Sequence, residues 1–527
     1  MDTKALRQKV LDLAIRGKLV PQDPNDEPAS VLLERIRQQK QQMVKDGKLK
    51  AKDIKNDTII FVGEDNLHYE KFANGSVKCI EDEIPFDLPD GWAWTRLGTV
   101  FSTVTGSTPL TKDASLYGTD YPFYKPTDLD AGFEVFGSED SVSEKGYLSG
   151  RALPEGSVLV TCIGATIGKT GYIRNAGICN QQINAILPNE NIFSEYTYFC
   201  MCSEFEQQKI WMNSSATTLP ILNKSKFDNL LFPVPPQDQQ KLIVECVEKL
   251  LHFVAEIQRE KSSLQEMIKV AKAKILDLAI RGQLVPQDPN DEPASVLLER
   301  IRAEKEELIQ QGKIKRDKKE SVIFRGEDNS YYLNDGQMTA DISDDLPFDI
   351  PDSWCWARLK DVLIINPRNK LDDTLDVAFI PMPLIDDGYS GKHTAEIRPW
   401  KEVKTGFTHF AEGDVGVAKI TPCFENRKST VFENLSNGYG AGTTELYILR
   451  PYGNTILAKY LLAYVKSDYF VENGKQTFTG AVGQQRIGKE YVEGAYFPIP
   501  PIKEQERIVQ QINTVFEYLN TIADALS

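Results

Sequence analysis

"DLAIRGKLVPQDPNDEPASVLLERIR" fills residues 12–37, and with one change, Lys18 to Gln283, it returns at residues 277–302. Aligning residues 9–40 with 274–305 gives 28 identities in 32 positions, the differences being Val10/Ile275, Lys18/Gln283, Gln38/Ala303 and Gln39/Glu304. The echo continues with IFVGEDN against IFRGEDN, IPFDLPDGWAWTRL against LPFDIPDSWCWARL, and FPVPPQDQQKLIV against FPIPPIKEQERIV. Order is kept throughout, so the chain is a tandem duplication of a unit of about 265 residues.

Working outward from the repeat, apolar residues downstream of Pro236 fall at Ile243, Val247, Leu250, Val254, Ile257, Leu264, Ile268, Ala271, Ile275 and Leu278. Steps of four and three predict a coiled-coil seam on a rod of about 54 Å, stopping at Gly282. The C-terminus repeats half of this seam at Ile508, Ile512, Val515, Leu519, Ile522 and Leu526, and the N-terminus supplies the other half at Leu6, Val10 and Leu13 before Gly17. The second rod therefore reads as one helix cut open at the chain ends. The expectation is a pseudo-two-fold, pseudo-cyclic molecule with antiparallel rods and neighbouring termini, Met1 and Ser527. The alternative is that each seam is covered by its own globular body. After each rod comes a proline-broken loop, VPQDPNDEP, then a second amphipathic helix, ASVLLERIR, with Pro28 and Pro293 where a first turn tolerates proline.

At 527 residues, 41% apolar and 26% charged, the chain can form several soluble cores. It lacks a signal-peptide pattern and a membrane-length apolar run, so a cytosolic protein is expected. Eight scattered cysteines and four histidines, none at ligand spacing, predict reduced thiols and no metal site. The net charge of −15 argues against nucleic acid at first sight. Yet residues 57–90 carry nine acidic and two basic side chains, and residues 320–352 carry nine and one, which together account for the whole excess. The remainder is neutral and can present basic loops.

The copies diverge between Trp92 and Leu231 and between Trp354 and Tyr496. Both stretches read as α+β, with SVLVTCIG and VGVAKIT as short strands and YTYFCMCSEFEQQKI and LAKYLLAYVKSDYFVE as helices. The domain expectation is a helical region at 1–50, an acidic linker at 51–90, a first body at 91–235, and the central and second helices at 236–319. A second acidic linker at 320–352, a second body at 353–500 and a C-terminal helix at 501–527, pairing with the central helix, complete the chain.

Two variable bodies, each preceded by LPxxWxWxRL and followed by a PxPPxxxQxxIV helix, resemble the specificity subunit of type I restriction-modification systems. VTGSTP, IGKTGYI with NQQINAI, AKITPCFENRK and GTTELYILRP occur in matching order. The acidic stretches are a departure, being longer than in the shortest relatives. The resemblance implies an α+β fold in which each body is a target recognition domain reading one half of a split DNA sequence, with the helices setting the separation. It also implies two methyltransferase subunits using S-adenosylmethionine, restriction subunits using ATP and Mg, and no cofactor on this chain.

GATIGKT at residues 164–170 has three residues between its glycines where a phosphate loop has four, and KTGYI continues as a strand, so a hairpin is expected, with Lys169 near a phosphate. NQQINAI is read with Gln181 and Asn184 on one side of a strand and Gln182 on the other, amides suited to adenine. Thr105, Ser107, Thr108, Lys112 and Lys125 are the other DNA-binding candidates of the first body. In the second body, Arg368, Asn369, Lys370, Lys419, Asn426, Arg427, Lys428, Gln484, Gln485 and Arg486 cluster in predicted loops, where arginine can read guanine and lysine can grip phosphate. Solvated surface charge and capped turns are the structural readings of the same residues. The WxW pairs are read as one core ring and one ring against the acidic segment. No N-P-P-[FY] element, nucleotide loop or nuclease cluster stands out, so no catalytic residue is expected. An adaptor of another modification or phage-defence system, and a coiled-coil scaffold that does not bind DNA, are the remaining alternatives.

Overall fold

The computed structural model describes residues 2–214, 219–316, 320–481 and 483–526. Met1 and Ser527, where the repeat places the cut, lie outside them. The chain divides into two compact units, Met1–Glu260 and Lys261–Ser527, and the boundary falls inside a 44-residue helix, Gln237–Ile280. At 1.5 Å per residue this helix is about 66 Å long.

In the first unit, helix Thr3–Ile15 packs on the early part of the long helix, with Leu11, Ala14 and Ile15 in one core with Ile243, Val244 and Val247. The deepest burial in Thr3–Ile15 is thus one position along from the predicted seam; Leu6 is exposed, and Val10 and Leu13 are half-buried. The early part of the long helix is thus covered by the N-terminal half of the second predicted rod together with the body of the same unit. The two helices run antiparallel, since Thr3 hydrogen-bonds Gln258 while Gln22 and Gln239 meet at Trp92. The second unit repeats this with Ile502–Leu526, where Lys272 donates to Asn520 at 2.6 Å and Leu276 shares a core with Ile508 and Ile512. Ile243 and Ile508, 265 positions apart, are both fully buried, and truncating either to Ala costs about 2–5 kcal/mol.

The first helix ends at Gly17 and its counterpart at Gly282, with φ of +64° and +67°. Lys18 N–H donates to Leu13 O and Gln283 N–H to Leu278 O, both at 2.9 Å, closing the carbonyls a helix end leaves open. The second helices, Ala29–Lys45 and Ala294–Gln310, follow their prolines directly.

The acidic segments fold into three-stranded antiparallel sheets, Ile59–Val62, His68–Lys71 and Val77–Cys79 in one unit, Val322–Arg325, Tyr331–Asn334 and Thr339–Asp341 in the other. In the first, buried Glu70 accepts from Arg96 Nε at 3.0 Å and Nη2 at 2.7 Å, fastening the sheet to the WTRL strand. All four rings of the WxW pairs are buried, so none stacks on a base. Trp92 lies in the helix core, and Trp356 packs with Ile323 and Ile342 of the acidic sheet.

Each body opens and closes on a two-stranded ladder, Ala93–Arg96 with Leu231–Val234 and Cys355–Arg358 with Tyr496–Ile499. Between them stands a four-stranded antiparallel sheet. Its order is Thr103–Thr105, Ile183–Ile186, Val158–Thr161, Thr170–Tyr172 in the first body and Leu363–Ile365, Leu446–Pro451, Val415–Ala418, Ser429–Val431 in the second. A further sheet carries a parallel pair in each, Tyr117–Tyr124 with Ile178–Cys179 and Asp376–Ile380 with Tyr439–Gly442. The order of the central sheet is shared although sequence is not, while the further sheet has three strands in the first body and four in the second. Each long predicted helix is broken in two, into Ser194–Cys202 and Glu204–Asn213, and into Ala458–Val465 and Asp468–Lys475. Ser203 and Ser467 cause the break: each is extended and its hydroxyl caps the second helix, accepting from Glu206 N–H and Phe470 N–H.

The joints share a set of hydrogen bonds. Tyr196 donates to Pro233 O and Tyr460 to Pro498 O. Gln240 accepts from Phe193 N–H and donates to Pro235 O, as Gln505 does with Leu457 and Pro500. Trp92 donates to Gln239 and Trp354 to Glu504. These bonds place the polar parts of each joint while the apolar helix faces hold it.

Candidate nucleic-acid interface

The strand pairings decide which loops meet. In the first body Asn184 lies opposite Thr105 and Ile183 opposite Thr161, so the loops after Thr105 and Thr161 and the turn before Ile183 leave the same end of the central sheet. The parallel strand ending at Tyr124 delivers Lys125 to that end, where Asn180 N–H donates to Tyr124 O at 3.1 Å. In the second body the pairs Ile365 with Leu449 and Ala418 with Leu446 do the same for residues 366–370, 419–428 and 443–445. Residues 484–487 join them through a bridge from Ile420 to Arg486. Segments scattered through the sequence are thus gathered at one end of each body.

At the first body's end, Gly106 threads against Asn180 and Cys179, whose carbonyl oxygens would lie 2.1 and 2.4 Å from an added Cβ. That close approach explains the glycine of VTGSTP. Ser107 N–H donates to Cys179 O at 2.8 Å, and Thr108 Oγ1 to Gln181 Oε1 at 2.6 Å. Residues 162–169 form the hairpin loop expected of GATIGKT, between Val158–Thr161 and Thr170–Tyr172. Lys169 pairs with Asp130 at 2.6 Å and Lys125 with Asp140, while Lys112 is exposed.

NQQINAI differs from its reading. The strand starts at Ile183, so Gln181 stands exposed in the turn before it while Asn184 is 3% exposed and accepts from Thr105 Oγ1 at 2.7 Å. The two do not share an exposed face, because the turn, closed by Asn180 Oδ1 accepting from Gln182 N–H, breaks the two-residue alternation. Asn184 serves the fold; Gln181 and Gln182 stand at the end of the sheet.

In the second body, Arg486 grips Glu445 with Nε at 2.8 Å and Nη2 at 2.9 Å, and Nη1 donates to Gln484 O at 3.0 Å. Three of a guanidinium's five N–H bonds are engaged, leaving two. Arg486 holds the Glu445 carboxyl below its usual range. Lys419 lies over the Tyr447 ring, 5.4 Å from its centroid. Arg368 is exposed and donates to Phe407 O, Asn369 donates to Phe410 O, and Lys370 is exposed. Arg427 and Lys428 are drawn into the fold: Arg427, at φ +54°, donates to Lys466 O and pairs with Asp468, and Lys428 donates to Met382 O. Asn426 is exposed, Gln484 is exposed and Gln485 half-buried, with Thr421 N–H donating to Gln485 O at 2.9 Å.

Two elements of these ends are silent in the sequence. Arg151 is exposed and donates to Thr105 O, yet no motif marks it. Residues 219–222 bridge the hairpin loop through Ile163 and Ile221, and nothing in TTLPIL signals it. No cluster of three His, Cys, Asp or Glu able to hold a metal occurs among the described residues, and the eight cysteines are free. Among the same residues no helix is long and apolar enough to cross a membrane.

The family model described as Type I restriction modification DNA specificity domain matches residues 89–266. The chain is similar to the EcoAI specificity subunit of Escherichia coli, 46% identical over 260 residues, which is 49% of this chain and 40% of that protein. It is also similar to the EcoEI specificity subunit of Escherichia coli, 44% identical over 243 residues, 46% of this chain and 38% of that protein. The matched stretch thus spans about two fifths of the length of these two relatives. A longer match, 23% identical over 442 residues and covering 82% and 83% of the two chains, is to the EcoDI specificity subunit of Escherichia coli. A solved chain from work on assembly and conformational transition of the type I R-M system has the same fold, with a TM-score of 0.51 at 17% identity, covering 84% of this chain and 94% of that one. With two sheet-borne loop sets on matching joints, these likenesses lead to one conclusion: residues 89–266 match the Type I restriction modification DNA specificity domain, and the chain is similar in sequence to type I restriction enzyme specificity subunits.

Proposed function

We propose that this chain is the DNA sequence-specificity subunit of a type I restriction-modification complex, each body reading one half of a bipartite, asymmetric target. The observation that carries the reading is that unlike loops are gathered at the same end of two like sheets, on joints with the same hydrogen bonds. Like joints suit two copies of one partner, here two methyltransferase subunits, and unlike loops suit two different half-sites. The restriction subunits complete the assembly. The chemistry, with S-adenosylmethionine, ATP and Mg, belongs to the partners; this chain supplies recognition and spacing, the long helices holding the half-sites about one duplex turn apart.

The domain reading is retained as part of the proposal, with recognition bodies at 91–235 and 353–500 and helical regions between and after them. The base-contacting set is Thr108, Gln181 and Gln182 in the first body and Arg368, Gln484 and Arg486 in the second, with Lys112 and Lys370 on phosphates. Mapping methylated adenines in a host genome with and without the gene tests the whole. A two-part motif with a fixed unread spacer that vanishes with the gene is expected. A continuous motif, or a methylation pattern independent of the gene, contradicts it.

A further inference from the structure

The same backbone ladder runs through the loop ends of both bodies. In the second, Lys419 N–H donates to Glu445 O at 3.0 Å, Thr421 N–H to Gln485 O at 2.9 Å and Ile487 N–H to Lys419 O at 3.0 Å. In the first, Cys162 N–H donates to Gln182 O at 2.7 Å, Gly164 N–H to Pro220 O at 3.1 Å and Leu222 N–H to Cys162 O at 2.8 Å. The bridge from Ile420 to Arg486 has its counterpart in that from Ile163 to Ile221. The turns correspond as well, since Thr443 Oγ1 accepts from Glu445 N–H and Asn180 Oδ1 from Gln182 N–H.

Matching the ladders pairs Glu445 with Gln182, Gln484 with Leu219 and Arg486 with Ile221. The second body therefore offers a guanidinium on a carboxylate where the first offers two aliphatic side chains, Leu219 at 52% exposed and Ile221 at 39%. Arginine suits guanine, whose major-groove edge presents two acceptors. Aliphatic carbon cannot satisfy those acceptors, but it suits the one apolar group on that edge of the duplex, the thymine methyl.

We propose that Leu219 and Ile221 form a subsite for an A·T pair, the thymine methyl packing on their side chains, at the place in the fold where the second body carries Arg486. The inference rests on the DNA-reading function proposed above and adds the chemistry of one base pair. Gln182, across Cys162 from this segment, supplies an amide on the other side.

The test uses the chain in complex with its methyltransferase partner and duplexes in which each thymine of the first half-site is replaced in turn by deoxyuridine, which removes only the methyl. One position is expected to lose about three- to ten-fold in affinity, the scale of one buried methyl. In the Leu219→Ala, Ile221→Ala double variant the thymine-to-deoxyuridine ratio at that position falls to about one, while second-half substitutions respond as in the parent. If the double variant does not assemble, Ile221→Thr, which keeps the branched shape, is read the same way. Specific binding with no methyl-sensitive position, or a ratio unchanged in the variant, overturns this proposal alone. A complex without sequence preference overturns both it and the function beneath it.

Discussion

Arg486 meets Glu445 along two parallel hydrogen bonds, Nε to Oε2 at 2.8 Å and Nη2 to Oε1 at 2.9 Å. A guanidinium held this way has already given up its rotamer freedom, so the base contact proposed for it would cost less on binding. Arg486→Ala is expected to relax one base position in the second half-site, weakening the parent sequence by about 10- to 100-fold, the worth of a bidentate base contact. Glu445→Gln removes the charge that aims it and has a smaller effect at the same position. Methylation of a randomised site library by the assembled complex reads both; a change in the first half-site, or none anywhere, contradicts the assignment.

Lys112 and Lys370 are exposed at the loop ends and are the phosphate contacts of the proposed interface. Replacing either with Ala should weaken all duplexes alike and reduce the salt slope of binding by about one unit for each phosphate no longer neutralised. Titrations at several salt concentrations check this, and an unchanged slope with altered base preference contradicts it.

Glu206 stands in the first body where Phe470 stands in the second, behind equivalent serine caps. It is 1% exposed, and neither carboxylate oxygen has a hydrogen-bond partner among the described residues. Burial pushes its pKa up to about 8, with Lys209 opposing weakly. The folded state therefore keeps a proton that the unfolded chain releases above about pH 4.5. The contribution of this group to stability is greatest below that pH and falls by up to about 1.4 kcal/mol per unit until the folded group ionises near pH 8. Glu206→Met should flatten this decline and raise the thermal midpoint at pH 8. Thermal unfolding from pH 5 to 9 checks it, and parallel curves for the two proteins contradict it.

Gly17 and Gly282 pass under a proline and a tryptophan in the same way. An added Cβ would lie 2.5 Å from Pro89 Cγ in one case and 2.5 Å from Pro351 Cγ in the other. Their positive φ adds strain for any other residue. Gly17→Ala and Gly282→Ala should each destabilise their own unit by at least about 1–3 kcal/mol, and by similar amounts. Denaturant unfolding measures the pair; a neutral result at either site contradicts the close packing of the joint.

The sequence carried the joints plainly, because a repeated string and four-three spacing are local signals. Ile243, Ile268, Ile508 and Ile512 are buried as that spacing predicts, and GATIGKT is a hairpin loop for the reason its glycine spacing suggested. What was illegible depends on partners far along the chain. Ile221 becomes part of a loop end only through its bridge to Ile163, and Asn184 turns inward only because Thr105 lies opposite. Arg427 is captured by Asp468 and the Lys466 carbonyl, which no local pattern announces. The first acidic segment is fastened to the body by Glu70 meeting Arg96 across 26 positions, while exposed Phe61, Val62 and Val77 blur its alternation.

Exchanging residues 92–231 for the corresponding body of a similar specificity subunit, with both joints left intact, addresses independent reading by two bodies most directly. Sequencing of methylated adenines should then show a new first half-site, with the spacer and second half-site unchanged. A change in both halves, or the parental motif retained entire, contradicts the account.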